Sequence, residues 1–208
     1  PVGRLLCASN ANNVLTDFIS TGVYDRRRPL HKTQSPSMDI LVSSNLERLL
    51  ALLSGDPALV ANLMEQLRDK GFYRVPDRLL SRIQADFFAG YCDDSRGSDA
   101  IGRVYRELDY LMDPHTAAGW VCGEQYRAET GDTAPLVVLS TASPYKFPAA
   151  VLAAIGQEAM GDEFDQMEQL SACTGMPIPR NLANLRQKKQ RHTAVVDKDA
   201  MLDFVLRL

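Results

Sequence analysis

Residues 2–15 read VGRLLCASNANNVL, an apolar run followed by a polar cluster and the start of an amphipathic segment. The run Val2–Ala8 predicts a short buried strand, and the polar cluster Ser9–Asn13 follows directly at its end. From about Val14 the apolar residues take helical spacing, and Gly22 predicts the end of that helix. A strand, a polar loop and a helix in this order form the repeating unit of α/β folds, in which ligands bind where strands end. The predicted fold class is therefore α/β.

A second unit of the same kind follows much later in the chain. Residues 135–140 read PLVVLS, the clearest candidate for a buried strand, and the polar sequence TASP follows directly. A helix is then predicted from about Phe147 to Ile155. The two predicted strand ends, 9–13 and 140–143, are the best candidates for a functional site on residue type alone. Their hydroxyl and amide groups suit a polar small molecule better than a metal ion.

Helical periodicity dominates between these two units, from about residue 44 to residue 130. The spacing of Ser44 and Glu47 predicts a capping box, and Gly55 predicts the end of that helix. Further elements are predicted along the rest of the chain: helices beginning at Asp56-Pro57, at Ser98 or Asp99, at Asp113-Pro114, around Phe164 to Ala172 and after Asp197, and strands at Phe87–Cys92 and Thr193–Val196.

Composition and cysteine spacing exclude several classes of protein. The net charge of -3 gives no reason to expect a nucleic acid or a membrane as a partner. The cysteines are scattered without a CxxC pair, so neither a metal site nor a disulfide framework is predicted; they are Cys7, Cys92, Cys122 and Cys173. Reduced thiols, and the lack of any apolar run near the roughly 20 residues that cross a bilayer, predict a cytoplasmic protein. His31, His115 and His192 lie far apart and are interpreted as structural or exposed.

Four sequence blocks nevertheless resemble one enzyme family, in that family's order. They are ASNANNVL at 8–15, TQSPSMDILVSSNLER at 33–48, DPHTAAG at 113–119 and LSTASPYKF at 139–147. Each block is short and weak alone, but the ordered set is similar to threonine synthases of the bacterial and fungal type.

This resemblance implies a fold, a cofactor and a reaction. The family's fold is the twisted α/β sheet of pyridoxal-phosphate lyases of the tryptophan-synthase β type, with the cofactor between a large and a small domain. Its reaction converts O-phospho-L-homoserine and water into L-threonine and phosphate. The resemblance divides the chain as follows: 1–43, the first part of the large cofactor-binding domain; 44–130, a helical insertion or subdomain; 131–156, the last strand-loop-helix unit of the α/β domain; and 157–208, a C-terminal extension.

The resemblance also implies roles for particular residues. Thr141 matches the family residue that hydrogen-bonds the pyridine nitrogen of the cofactor. A cleft near the cofactor or substrate is expected to be lined by Asn10, Asn13, Ser35, Ser37 and Asp39. The alternative is that these are capping and turn residues, and that Thr141 caps the following helix together with Ser143.

No catalytic residue and no Schiff-base lysine is predicted within this chain. In the family, that lysine and a glycine-rich phosphate loop both precede the block at 8–15. None of the lysines stands in a matching context; they are Lys32, Lys70, Lys146, Lys188, Lys189 and Lys198. Because the chain also begins without methionine, we expect a C-terminal fragment that is inactive alone and whose partner is the missing N-terminal half of the same enzyme.

Two other functions remain open on the sequence. The chain could be a free-standing α/β binding module derived from the lyase, with no chemistry of its own. It could also belong to a related pyridoxal-phosphate lyase that acts on another phosphorylated amino acid.

Overall fold

The structure is a computed structural model that describes residues 2–207. The chain divides into two compact units, Pro1–Met176 and Pro177–Leu208. No described helix combines the length and apolarity needed to cross a membrane.

The first unit alternates short strands with longer helices. Its strands are β1 (Leu5–Ser9), β2 (Val23–Asp25), β3 (Phe72–Arg74) and β4 (Phe87–Tyr91). Its α-helices are α1 (Val14–Thr21), α2 (Ser44–Ser54), α3 (Pro57–Lys70), α4 (Asp77–Asp86), α5 (Asp94–Leu108), α6 (Pro114–Thr130), α7 (Pro148–Ala154) and α8 (Glu163–Thr174), and 3-10 turns lie at Pro36–Met38 and Pro144–Lys146. In the second unit are α9 (Arg180–Ala183), a 3-10 turn (Lys198–Ala200) and α10 (Met201–Val205).

Strands β1 and β4 form a parallel pair that sets the position of the first polar cluster. The register runs from Leu5 opposite Phe87 to Ser9 opposite Tyr91. Parallel strands need a crossover connection, and helices occupy most of the chain between these two. The polar residues after Ser9 therefore leave the sheet at its carboxyl end, where α/β folds bind ligands. Strand β4 lies within 44–130, while the four-part division of the chain stays a prediction.

Aromatic rings pack the centre of the hydrophobic core. The rings of Tyr24 and Tyr73, from the antiparallel pair β2 and β3, stack at 5.3 Å between centroids. Phe18 of α1 meets both rings edge-on at 5.8 and 5.9 Å. Helices α2, α3 and α4 contribute the buried aliphatic side chains Leu50, Leu63 and Ile83. This core holds α1, and with it the end of β1, in a fixed position.

Several predicted helix boundaries are confirmed by the termini. Gly22 ends α1 with a φ of 76°, the left-handed conformation that glycine adopts without strain. The Asp56 side chain accepts a hydrogen bond from the Leu59 N–H at the start of α3, and Asp113 caps α6 in the same way. Local cap chemistry was therefore a sound guide to where these helices begin.

Two predicted helix starts are wrong. Ser44 is the first helical residue of α2 rather than its cap, and the preceding Ser43 makes no side-chain cap bond, so the predicted capping box does not form. Helix α5 begins at Asp94 instead of Ser98 or Asp99, because the Asp93 carboxylate accepts from the Arg96 N–H and starts the helix earlier. The polar first turn of α5 hid this start from the apolar periodicity.

The buried strand predicted at 135–140 is also wrong. The segment is neither strand nor helix, and Val137 and Leu139 are 82% and 77% exposed. A strand needs a neighbour to complete its hydrogen-bond ladder, and no described strand lies beside this segment. The alternate residues Leu136 and Val138 instead pack against α6. Leu136 lies so close to Gly123, and Val138 so close to Gly119, that a Cβ at either glycine would be crowded. Only every second apolar side chain of this segment is therefore packed against the rest of the protein.

Predictions at the two ends of the chain need smaller corrections. The strand predicted at Val2–Ala8 is Leu5–Ser9, and most of its residues are half-buried rather than buried. The strand predicted at Thr193–Val196 does not form, and Val195 is almost fully exposed, because residues 177–207 contain no described strand that could pair with it. Asp197 precedes a 3-10 turn without a side-chain cap bond. Helices α7 and α8 lie where they were predicted, within about two residues.

Candidate functional site

The first polar cluster is a closed network built around Asn10. This side chain follows β1 and is 1% exposed. Its amide nitrogen lies 2.7 Å from Asp39 Oδ1, 2.8 Å from Thr33 Oγ1 and 3.1 Å from Ser35 Oγ. Its amide oxygen accepts from the backbone N–H of Asn12 at 2.9 Å. Asn10 therefore ties the end of β1 to a loop more than twenty residues further along the chain.

The carboxylate of Asp39 organises that loop from the other side. Its Oδ1 accepts from Thr33 Oγ1 at 2.7 Å and from Asn12 Nδ2 at 3.0 Å. Its Oδ2 accepts from the Thr33 N–H at 3.1 Å. Hydrogen bonds to an ionised carboxylate are shorter and stronger than those between neutral groups. We define residues 10–12 and 31–39 as the closed cluster, since these polar groups largely satisfy one another.

The remaining two predicted cleft residues occupy different settings. Asn13 accepts from the Arg28 guanidinium at 3.0 Å, and Arg28 forms an ion pair with Asp17 at 2.7 Å. Ser37 is exposed, and its backbone N–H donates to Nε2 of His115 at 3.2 Å. The structure brings Asn10, Ser35 and Asp39 into one network. That any of the five lines a ligand cleft stays a prediction.

The contact from Ser37 leads to a second polar group at the start of α6. Asp113 is fully buried, and its Oδ1 accepts from the His115 N–H at 2.9 Å and lies 2.8 Å from His115 Nδ1. Its Oδ2 accepts a short hydrogen bond from Thr116 Oγ1. Because Nε2 accepts from the Ser37 N–H, the ring proton is assigned to Nδ1, where it can bond to the carboxylate.

Thr116 connects this group to the second predicted strand end. Its hydroxyl oxygen lies 3.1 Å from Ser140 Oγ. Thr141 follows, exposed, and its hydroxyl has no partner among the residues that the structure describes. The cap function falls to Ser143, which accepts from the Tyr145 N–H at 3.3 Å. We define residues 135–141 as the open segment, because its exposed apolar side chains and the Thr141 hydroxyl lack partners in the described chain.

The polar groups of the closed cluster and of Asp113, His115 and Thr116 interact through hydrogen bonds. Burial raises the pKa of Cys92 to about 12 and that of Cys122 to about 11, so both thiols are protonated near neutral pH. The described residues contain no cluster of three or more His, Cys, Asp or Glu side chains that could hold a metal ion. A neutral hydroxyl such as that of Thr141 can donate to a ring nitrogen of a bound heterocycle.

Sequence reasoning missed the central position of Asp113, His115 and Thr116. The sequence DPHT predicts a helix start and belongs to one of the blocks that resemble the enzyme family. Nothing in the spacing showed that His115 meets a loop 78 residues earlier. A fully buried aspartate that bonds to three groups in one helical turn could be identified only from the fold.

The sequence of this chain matches a family model and several known proteins. The model described as "Threonine synthase, C-terminal" matches residues 116–205. Threonine synthase of Pseudomonas aeruginosa is 37% identical over 199 residues, which are 92% of this chain and 41% of that protein. Human threonine synthase-like 1 is 37% identical over 194 residues, 92% of this chain and 26% of that protein. The chain thus spans about a quarter to two fifths of the length of these relatives.

Solved structures match the whole chain. Pyridoxal-phosphate-bound threonine synthase from Brucella melitensis matches with a TM-score of 0.80 and 34% identity, covering 100% of this chain and 40% of that one. Yeast threonine synthase matches with a TM-score of 0.80 and 26% identity, covering 100% of this chain and 43% of that one. These matches confirm the predicted α/β fold class and the predicted resemblance.

Proposed function

We propose that this chain serves as the C-terminal portion of a threonine synthase, a pyridoxal-phosphate-dependent lyase, and its matches to that family support the proposal. The proposed reaction converts O-phospho-L-homoserine and water into L-threonine and phosphate. The relatives are more than twice as long as this chain. This supports the proposal that the chain acts together with an N-terminal portion like the one that those relatives carry. The lysine that bears the cofactor is proposed to lie there.

The observation that carries the proposal is the unpartnered, exposed hydroxyl of Thr141. It follows Ser140, which is tied through Thr116 to the buried carboxylate of Asp113. An exposed hydroxyl without a described partner can donate a hydrogen bond to the ring nitrogen of a bound cofactor. Thr141 therefore fits the ring nitrogen of pyridoxal phosphate.

Thr141 has a specific chemical task in this proposal. Bound pyridoxal phosphate supplies an electron sink for carbanion chemistry. The neutral hydroxyl donates a hydrogen bond to the pyridine nitrogen and, unlike a carboxylate, does not stabilise a protonated ring. The ring then withdraws electrons less strongly, which suits elimination and replacement reactions. The cleft proposed beside it includes Asn10, Asn13, Ser35, Ser37 and Asp39.

Replacing Thr141 tests this role directly, in the chain joined to the N-terminal portion that its threonine synthase relatives carry. Thr141→Val keeps the shape and removes the hydroxyl, while Thr141→Ser keeps the hydroxyl and serves as the matched control. We expect Thr141→Val to weaken cofactor binding and turnover by about 10-fold or more, the loss of one hydrogen bond to a buried partner. Circular dichroism should be unchanged. Equal cofactor affinity and turnover in both variants would contradict the role.

A second candidate is a related lyase that acts on another phosphorylated amino acid. It is supported by the relatives named threonine synthase-like 1, which at 37–38% identity are as similar to this chain as the threonine synthase of Pseudomonas aeruginosa at 37%. Phosphate release from O-phospho-L-homoserine, phosphoserine and phosphothreonine, measured in parallel with the joined protein, separates the two. Release from O-phospho-L-homoserine with threonine as product supports the first candidate.

A further inference from the structure

We propose that His115, oriented by Asp113, is a positioning residue that fixes the closed cluster relative to the open segment. The proposal rests on the proposed function only for what binds near Thr141. Its own content is a coupling between two segments about 100 residues apart in the chain, 35–39 and 140–141.

The first arm of the coupling runs from the imidazole to the closed cluster. Nε2 of His115 accepts the Ser37 N–H at 3.2 Å. Ser37 lies within the 3-10 turn Pro36–Met38, between Ser35 and Asp39, which both contact Asn10. A change in the imidazole position therefore moves the middle of the loop whose two sides are held by Asn10.

The second arm runs from the carboxylate to the open segment. Asp113 holds His115 through Oδ1 and Thr116 through Oδ2, so one buried group orients both side chains. Thr116 contacts Ser140 at 3.1 Å, and Ser140 is bonded covalently to Thr141. A fully buried carboxylate is costly unless its hydrogen bonds are made, which favours this single arrangement of both arms.

Ring packing restricts the remaining freedom of the imidazole. The ring of Phe147 lies 4.8 Å from that of His115, between centroids, at a tilt of 50°. The His115 side chain is only about one-tenth exposed. With one ring nitrogen on Asp113, the other on Ser37 and Phe147 against the ring, His115 has defined contacts on three sides.

Two amide substitutions of His115 separate positioning from simple packing. In His115→Gln the side-chain oxygen can reach the position of Nε2 and still accept from Ser37. In His115→Asn the shorter side chain reaches only the position of Nδ1 and leaves the Ser37 N–H without its acceptor. His192→Asn, at an exposed position in the second unit, is the matched control.

The measurement is nuclear magnetic resonance of the 208-residue chain, without any cofactor. In the unsubstituted chain we expect the nitrogen spectrum to show His115 protonated at Nδ1 and unprotonated at Nε2. Exchange of the Ser37 amide should be about 5- to 10-fold faster in His115→Asn, nearly unchanged in His115→Gln and unchanged in His192→Asn. The amide signals of Ser140 and Thr141 should shift in Asp113→Asn.

The opposite results would overturn the coupling. Proton on Nε2 in the unsubstituted chain would remove the acceptor on which the first arm depends, and this result needs no variant to fold. Equal Ser37 exchange in the asparagine and glutamine variants would show that His115 only fills space. Because no cofactor is present, a failure here is distinguishable from a failure of the role proposed for Thr141.

Discussion

The closed cluster follows one apolar strand predicted from the sequence and the open segment contains the other, yet they have opposite surroundings. In the closed cluster, Asn10 is buried and Asp39 accepts hydrogen bonds at both carboxylate oxygens. In the open segment, Val137 and Leu139 are largely exposed and the Thr141 hydroxyl has no described partner. Buried polar groups that satisfy one another act as scaffold, whereas unsatisfied groups beside exposed apolar side chains are available to a ligand or partner. Polar residues at a strand end do not by themselves distinguish these cases.

The largest expected effect concerns the chain by itself. We predict that it neither attaches pyridoxal phosphate covalently nor forms threonine, because none of its lysines stands in the sequence context of a cofactor-bearing lysine. The measurement is absorbance after incubation with the cofactor, followed by borohydride reduction, peptide mapping and an assay for threonine. A single specifically labelled lysine together with threonine formation would contradict the prediction. It would show that the open segment needs no other portion of the enzyme to form a working site.

The next effect tests the closed side of the comparison. Asp39→Asn puts an amide donor where a carboxylate oxygen now accepts from the Thr33 N–H, so two donors would face each other. We expect the free energy of unfolding to fall by about 1–3 kcal/mol, the cost of unsatisfied polar groups. Urea denaturation measures it, with Asp203→Asn at an exposed position as control and an expected change below about 0.5 kcal/mol. Equal effects would show that the network contributes little.

Sequence predicted the strand-loop-helix unit at 2–22 better than the one at 135–155 for a physical reason. Around β1 and α1 the signals are local: an apolar run, a glycine cap and helical spacing of Val14, Phe18 and Ile19 agree with the fold. At 135–140 the apolar run was equally clear, but a strand also requires a neighbour, which a single segment cannot specify. The same limit applies to the site, because the contact of Ser37 with His115 depends on packing between distant elements.

Strands β2 and β3 and helix α4 were missed because the first two are only three residues long and α4 begins without a side-chain cap.

A pH-dependent effect tests the burial of Cys92. Cys92 follows β4, and its backbone N–H donates to the carbonyl of Ser9 at 2.9 Å. Burial raises its pKa from 9.0 to about 12, so between these values the thiol ionises in the unfolded chain but stays protonated in the folded one. Stability from this group is complete below pH 9 and is lost as the pH rises toward 12.

Thiol labelling provides the measurement. At pH 8 iodoacetamide should modify the exposed Cys173 rapidly and Cys92 only after unfolding, as mass spectrometry of peptides will show. In Cys92→Ala the loss of stability between pH 9 and pH 11 should be smaller than in the unsubstituted chain. Rapid modification of Cys92 in the folded chain at pH 8 is the outcome that would refute its burial.

The smallest effect belongs to the open segment, and its matched control lies in α1. Val137 is 82% exposed whereas Val14, at the start of α1, is 1% exposed. The same change, Val→Ala, removes two methyl groups' worth of packing at one position and almost none at the other. We expect Val14→Ala to lower the free energy of unfolding by about 2 kcal/mol and Val137→Ala by less than about 0.5 kcal/mol, both measured in urea.

If Val137→Ala instead costs as much as Val14→Ala, the open segment is packed in solution, and the contrast between the closed cluster and the open segment does not hold. If it costs almost nothing in the chain alone but weakens association with the N-terminal portion of a threonine synthase, the exposed side of the segment is the surface that this portion covers.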